Sequence, residues 1–128
     1  RVPLASGLLS GKFSADTRFE ADDHRQFNRH GEAFDVGETF AGVPYGVGLA
    51  AVEKLRPLVP EGVTLAQLAL RWILMDEAVS VVIPGARNPA QALAHIGAAV
   101  PPALSPQTMD AVARIYEQDI KPYVHQRW

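Results

Sequence analysis

The sequence contains no cysteine, and that absence removes disulfide bonds, thiolate nucleophiles and cysteine-ligated metals at once. A reducing compartment is thereby permitted, and a cytoplasmic location is expected. Long apolar runs are missing too. None approaches the roughly 20 residues that a membrane-spanning helix needs, and no basic leader followed by an apolar stretch suggests a signal peptide. Neither sign of charge dominates: 12 Lys and Arg stand against 14 Asp and Glu, a formal net charge of -2. With no basic cluster in the chain, neither a nucleic-acid partner nor a membrane partner is expected. An initiator methionine is also absent, since the chain opens on Arg1-Val2-Pro3-Leu4. That opening reads as the end of a strand, so the expectation is a piece of a larger domain whose N-terminal portion lies upstream.

What is present is an ordinary globular composition, 48% hydrophobic and 20% charged over 128 residues, enough for one domain by length. The stretch Val79-Ser-Val-Val-Ile-Pro-Gly-Ala-Arg-Asn-Pro-Ala-Gln91 reads as a short strand over 79–83, a tight turn and the start of a helix. Four of the five strand residues are apolar, which suits a strand buried on both faces. Asn88-Pro89 has the form of a helix cap followed by proline at the first helical position. A helix N-terminus gathers unpaired N–H groups and the positive end of the dipole, a natural anion site. Arg87 beside it could grip a phosphate with its planar fork. Read from these residues alone, a generic strand-to-helix turn with a solvated Arg87 stands beside the phosphate reading.

Elsewhere, residues 45–59 carry a helical stripe at Val47, Ala51, Leu55 and Leu58. Thr64-Leu-Ala-Gln67 matches a capping box and opens a helix to about Asp76, with Leu65, Leu68, Ala69, Trp72 and Ile73 facing the core. A third helix runs from Pro89 to about Val100. Ser105-Pro106 starts a fourth, whose buried face is Met109, Val112, Ala113, Tyr116 and Ile120. The tail from Lys121 is expected to be irregular. Residues 13–44 show no period, yet Phe13, Phe19, Phe27, Phe34 and Phe40 are spaced through them, so a long excursion pinned by its aromatics is expected. The resulting order alternates strands with helices, the pattern of a parallel α/β sheet. Two strands do not make a stable sheet, and the architecture points beyond the chain.

Pro3-Leu-Ala-Ser-Gly-Leu-Leu-Ser-Gly-Lys12, Thr64-Leu-Ala-Gln-Leu-Ala-Leu-Arg-Trp72 and Ile83-Pro-Gly-Ala-Arg-Asn-Pro-Ala-Gln91, in that order, resemble the C-terminal part of the aldo-keto reductases. The resemblance implies a (β/α)8 TIM barrel, of which this chain would carry the last two strands and their helices. It implies an NADPH-dependent oxidoreductase that reduces aldehydes and ketones. Pro3, Leu4, Ala5 and Ser6 would pass under the nicotinamide and pyrophosphate end of NADPH, with Lys12 near the phosphates. Gly85 and Arg87 would hold the 2′-phosphate, and Gln91 and His95 would flank the adenine. The chain departs from the family at two of these places. Arg1 stands where many members have an aromatic over the nicotinamide, although a guanidinium plane can also stack. His95 replaces a common Asn, with stacking or imidazole hydrogen bonding in its place.

The family's catalytic Asp, Tyr, Lys and His lie on earlier strands, so no catalytic residue is expected here and the chain alone would be inactive. None of Tyr45, Tyr116, Tyr123, Lys12, Lys54 or Lys121 has a matching context. Asp22, Asp23, His24, His30 and Glu32 lack a fixed ligand spacing and read as solvated loop charges rather than a metal site. The implied partners are a small carbonyl substrate and the upstream part of the barrel. Two other readings stand beside the reductase: a non-catalytic NADP-binding sensor or subunit of the same fold, and an inert truncated piece.

Overall fold

Thr64 and Gln67 close the capping box their spacing predicts: Thr64 Oγ1 accepts from Gln67 N at 3.2 Å, and Gln67 Oε1 accepts from Thr64 N at 2.9 Å. The helix they start is the centre of the molecule. In the computed structural model, which describes residues 2–127, the α-helices are α1 (His24–Phe27), α2 (Tyr45–Leu55), α3 (Leu65–Ile73), α4 (Pro89–Ile96), α5 (Pro106–Ile115) and α6 (Lys121–Val124). Asn88 caps α4 and Ser105 caps α5 through their side-chain oxygens, each with proline following. The start signals read from sequence thus hold at all three long downstream helices.

Leu65 and Leu68 on α3 join Leu8, Phe40 and Val52 in the core. Leu70 is fully buried as well, at 0% exposure. It points away from the Leu65–Leu68 stripe, so α3 is covered on two sides. On one side lie the 3-10 turns of Ala5–Ser10, which also meet α2; on the other lie α4 and the 3-10 turn Gly97–Ala99. Gly48 on α2 lets Leu8 approach closely, because a Cβ there would sit 2.5 Å from Leu8 Cδ2.

Among the described residues no strand forms. Residues 2–4 lead into a turn, and residues 79–83 are irregular, with Val81 68% and Ile83 82% exposed. A strand depends on ladder partners, and these two segments have none here. The expected α/β architecture is therefore realised only in its helices. The bare apolar faces of residues 79–83 are those a strand buried on both sides would cover. Trp72 departs from expectation for a related reason. It is 40% exposed and lines an apolar cleft of about 260 Å³ that α2, α3 and α5 share with Leu8 and Leu9 but do not fill.

The tail also differs from expectation, being helical through Val124 and in 3-10 turns over His125–Arg127. Pro122 lacks an N–H and crowds the carbonyl four residues back. The helix accommodates it by widening into π turns over Tyr116–Ile120. Val124, 3% exposed, and the Arg127–Asp35 ion pair at 3.3 Å return this end of the chain to the excursion. Leu68→Ala is expected to destabilise the protein by about 3 kcal/mol in denaturant titrations, whereas Ala50→Ser on the exposed side of α2 should change it by less than about 0.5 kcal/mol.

Candidate functional site

The segment from Pro3 to Lys12 is built on left-handed backbone. Ala5 has φ 47°, Ser6 φ 55° and Gly7 φ 90°. Outside glycine this conformation costs on the order of 1–3 kcal/mol per residue, so something must hold it. The excursion does. Ser6 Oγ donates to Glu38 O at 3.1 Å and accepts from Phe40 N at 3.1 Å. Phe40 and Ala41, on the facing turn, are left-handed too, at φ 50° and 57°. One hydroxyl therefore ties two strained turns together. Arg25 Nη1 reaches the Ser6 carbonyl at 3.3 Å from the other side. Lys12 is exposed, and among the described residues its ammonium has no recorded partner.

The excursion is ordered by its aromatics, as its spacing implies. Phe13 and Phe19 meet edge to face at 5.3 Å, and Phe40 and Tyr45 lie 5.0 Å apart. Arg25 stacks over Phe19 at 4.6 Å and Arg29 over Tyr45 at 4.8 Å. Phe27 and Phe34 form a separate, half-exposed pair. Sequence reasoning missed the polar centre of this segment. Asn28 is 0% exposed; its Oδ1 accepts from Ala33 N and Phe34 N at 2.9 and 2.8 Å, and its Nδ2 donates to Thr39 Oγ1 at 3.2 Å. An Asn ahead of a run of turns was the available signal.

The second segment surrounds the start of α4. Asn88 Oδ1 accepts from Gln91 N at 2.9 Å, and Gln91 Oε1 accepts from Arg87 N at 2.7 Å, so the turn is formed by its own side chains. The Arg87 guanidinium is exposed, with no recorded partner among the described residues. Nothing lies within 4 Å of where a Cβ on Gly85 would sit, and its φ is not left-handed. Neither packing nor backbone demands glycine there, and open room borders it. Ser80, Val82, Pro84, Ala92, His95 and Ile96 line a groove of about 380 Å³ beside this turn. His95 Nδ1 is itself buried, without a hydrogen-bond partner among the described residues, an arrangement that ordinarily costs stability.

Helix α3 carries both segments. Leu65 packs against Gly11, while Gln67 Nε2 donates to Ala94 O on α4 at 3.1 Å. Arg1 lies outside the described residues. Four of the six tyrosines and lysines are otherwise engaged. Tyr45 Oη donates to Ser14 O, Tyr116 Oη bonds His125 Nδ1, Lys54 pairs with Asp119 and Lys121 with Glu117. Among the described residues no three His, Asp or Glu side chains converge as metal ligands, and no helix is long and apolar enough to cross a membrane.

The model of the aldo/keto reductase family matches residues 1–117. A probable voltage-gated potassium channel subunit beta of Arabidopsis thaliana is 32% identical over 126 residues, covering 93% of this chain and 35% of that protein. Its namesake from Oryza sativa subsp. japonica gives the same identity and coverage. The aldo-keto reductase YhdN of Bacillus subtilis (strain 168) is 32% identical over 90 residues, covering 69% of this chain and 24% of that protein. The chain thus spans between about a quarter and about a third of the length of these relatives.

The Asp23 carboxyl is held at about 2, chiefly by the hydrogen bonds from the Arg25 side chain; burial opposes them, and the Arg25 backbone N–H and the nearby charges of Arg25 and His24 lower it further. A carboxyl lowered in the folded state stabilises the fold above its unfolded value, and that contribution is lost as pH falls toward the folded value. The difference in melting temperature between the wild type and Asp23→Asn should therefore be full above about pH 4 and shrink toward about pH 2. A difference that stays constant from pH 6 to the acid limit would contradict the Asp23–Arg25 coupling.

Proposed function

The chain belongs to the aldo/keto reductase family, and from that membership we propose that it is the cofactor-clamping C-terminal portion of an NADPH-dependent reductase of aldehydes and ketones. The carrying observation is the turn at Arg87: an exposed guanidinium beside open room at Gly85, at the capped start of α4, next to a groove that His95 lines. Arg87 would hold the 2′-phosphate, and Gln91 and His95 would take the adenine, whose ring nitrogens and amino group can answer a buried imidazole nitrogen. Pro3, Leu4, Ala5 and Ser6 would lie under the nicotinamide and pyrophosphate, with Lys12 and Arg1 at the same end. When bound, NADPH supplies the hydride that a carbonyl carbon accepts.

Proton delivery belongs to residues outside this chain in the proposal, because every tyrosine and lysine with a recorded partner here is tied to the fold rather than to another Tyr or Lys. The upstream part of the barrel is then the obligatory partner. Its strands would flank residues 79–83 and cover Val81 and Ile83. The excursion over residues 13–44 would shape substrate choice, as loops at a barrel mouth do. A cytoplasmic location goes with this reading.

A second reading rests on the two plant relatives, which are named as channel subunits rather than as reductases. On it, the full protein holds the nucleotide and turns over little. NADPH oxidation against a panel of aldehydes separates the two. The cofactor assignment itself is tested with Arg87→Ala in the full-length protein: NADPH affinity should fall by about 1.5–3 kcal/mol while NADH affinity stays level. An unchanged preference for NADPH would contradict it.

A further inference from the structure

Arg25 lies outside the residues that the cofactor reading uses, yet its hydrogen bonds and ring contacts are directed at the excursion and at Ser6. Its Nε donates to Asp23 Oδ1 at 2.9 Å, and Nη2 donates to Asp23 Oδ2. Nη1 donates to the Ser6 carbonyl at 3.3 Å. The guanidinium plane covers Phe19 at 4.6 Å and Phe13 at 5.5 Å, and the side chain is only 16% exposed. Arg29 supports the stack from behind, with its Nε donating to Arg25 O at 3.0 Å. A side chain so enclosed is not available to a ligand. It can act only through what it holds.

What it holds is a left-handed residue of the opening segment. Ser6 sits at φ 55° with its hydroxyl between Glu38 O and Phe40 N, and Arg25 donates to its carbonyl. Gly7 is packed against the same group, since a Cβ there would meet Phe13 at 3.2 Å and Arg25 Nη1 at 3.5 Å. We propose that Arg25 is a positioning residue that sets the Ser6 turn, making binding of the nicotinamide and pyrophosphate half of a dinucleotide conditional on the folded excursion. This rests on the cofactor reading above and adds a coupling to it. The segment expected to shape substrate choice and the turn expected to lie under the cofactor become one unit. Lysine cannot replace Arg25 in this role, because a single ammonium lacks the fork that bonds Asp23 and Ser6 together, and its stacking on the rings is poorer.

The test uses the full-length protein and two probes, NADP+ and adenosine 2′-monophosphate, with affinities measured by calorimetry. The monophosphate carries only the groups assigned to the Arg87 turn, so it reports folding and that half of the site. Arg25→Ala is expected to weaken NADP+ about tenfold, the size of a lost charge-assisted hydrogen bond, and to leave the monophosphate unchanged. Arg25→Lys should lose as much. Unchanged NADP+ affinity in Arg25→Ala would overturn the coupling, as would an equal loss of both probes or full rescue by lysine. A wild type that binds neither probe would instead sink the cofactor reading on which the coupling stands.

Discussion

One side chain, Gln67, joins the parts of this chain that sequence places far apart. Its Oε1 completes the capping box with Thr64, and its Nε2 donates to Ala94 O on α4. The first bond fixes where α3 begins, and hence how Leu65 and Leu68 meet Leu8 beneath the opening turn. The second fixes α4 against the same helix, and with it the turn that presents Arg87. A cap is ordinarily a local device worth about 1 kcal/mol. Here it also sets the relative placement of the two halves of the candidate site.

Strain at one place is held by packing at another. The left-handed Ala5, Ser6, Phe40 and Ala41 would not persist in an isolated turn. The aromatic cluster of Phe13, Phe19, Phe40 and Tyr45, with Arg25 and Arg29 laid over it, supplies the restraint. Asn28 supplies the polar interior that lets such an irregular segment fold without leaving its backbone groups unanswered. The order of the excursion is thus a condition for the shape of the opening turn.

The helices were legible in the sequence because their signals are local: Thr64 with Gln67, Asn88 with Pro89, Ser105 with Pro106, and the apolar stripe of α3. The aromatic pinning of residues 13–44 was legible from composition. The hydrogen bonds of Asn28 and Arg25 were not, since they join residues whose spacing follows no period. The strand reading of residues 79–83 captured the apolar pattern but not the outcome, because a strand's stability resides in neighbours rather than in its own residues. The tail failed for a different reason. Pro122 reads as a helix breaker, and only the widened turns over Tyr116–Ile120 let the helix pass it.

The site residues named from the family resemblance fall into two groups on either side of α3. Ser6 is committed to the excursion, Gln91 to the backbone of its own turn, and Lys12 and Arg87 present their charges outward. Hydrogen exchange of the full-length protein, with and without saturating NADPH, tests most directly whether the two groups form one clamp. If they form one clamp, the cofactor slows exchange in residues 3–12 and in residues 85–95 together. Protection in only one of these segments, or in neither, would contradict it.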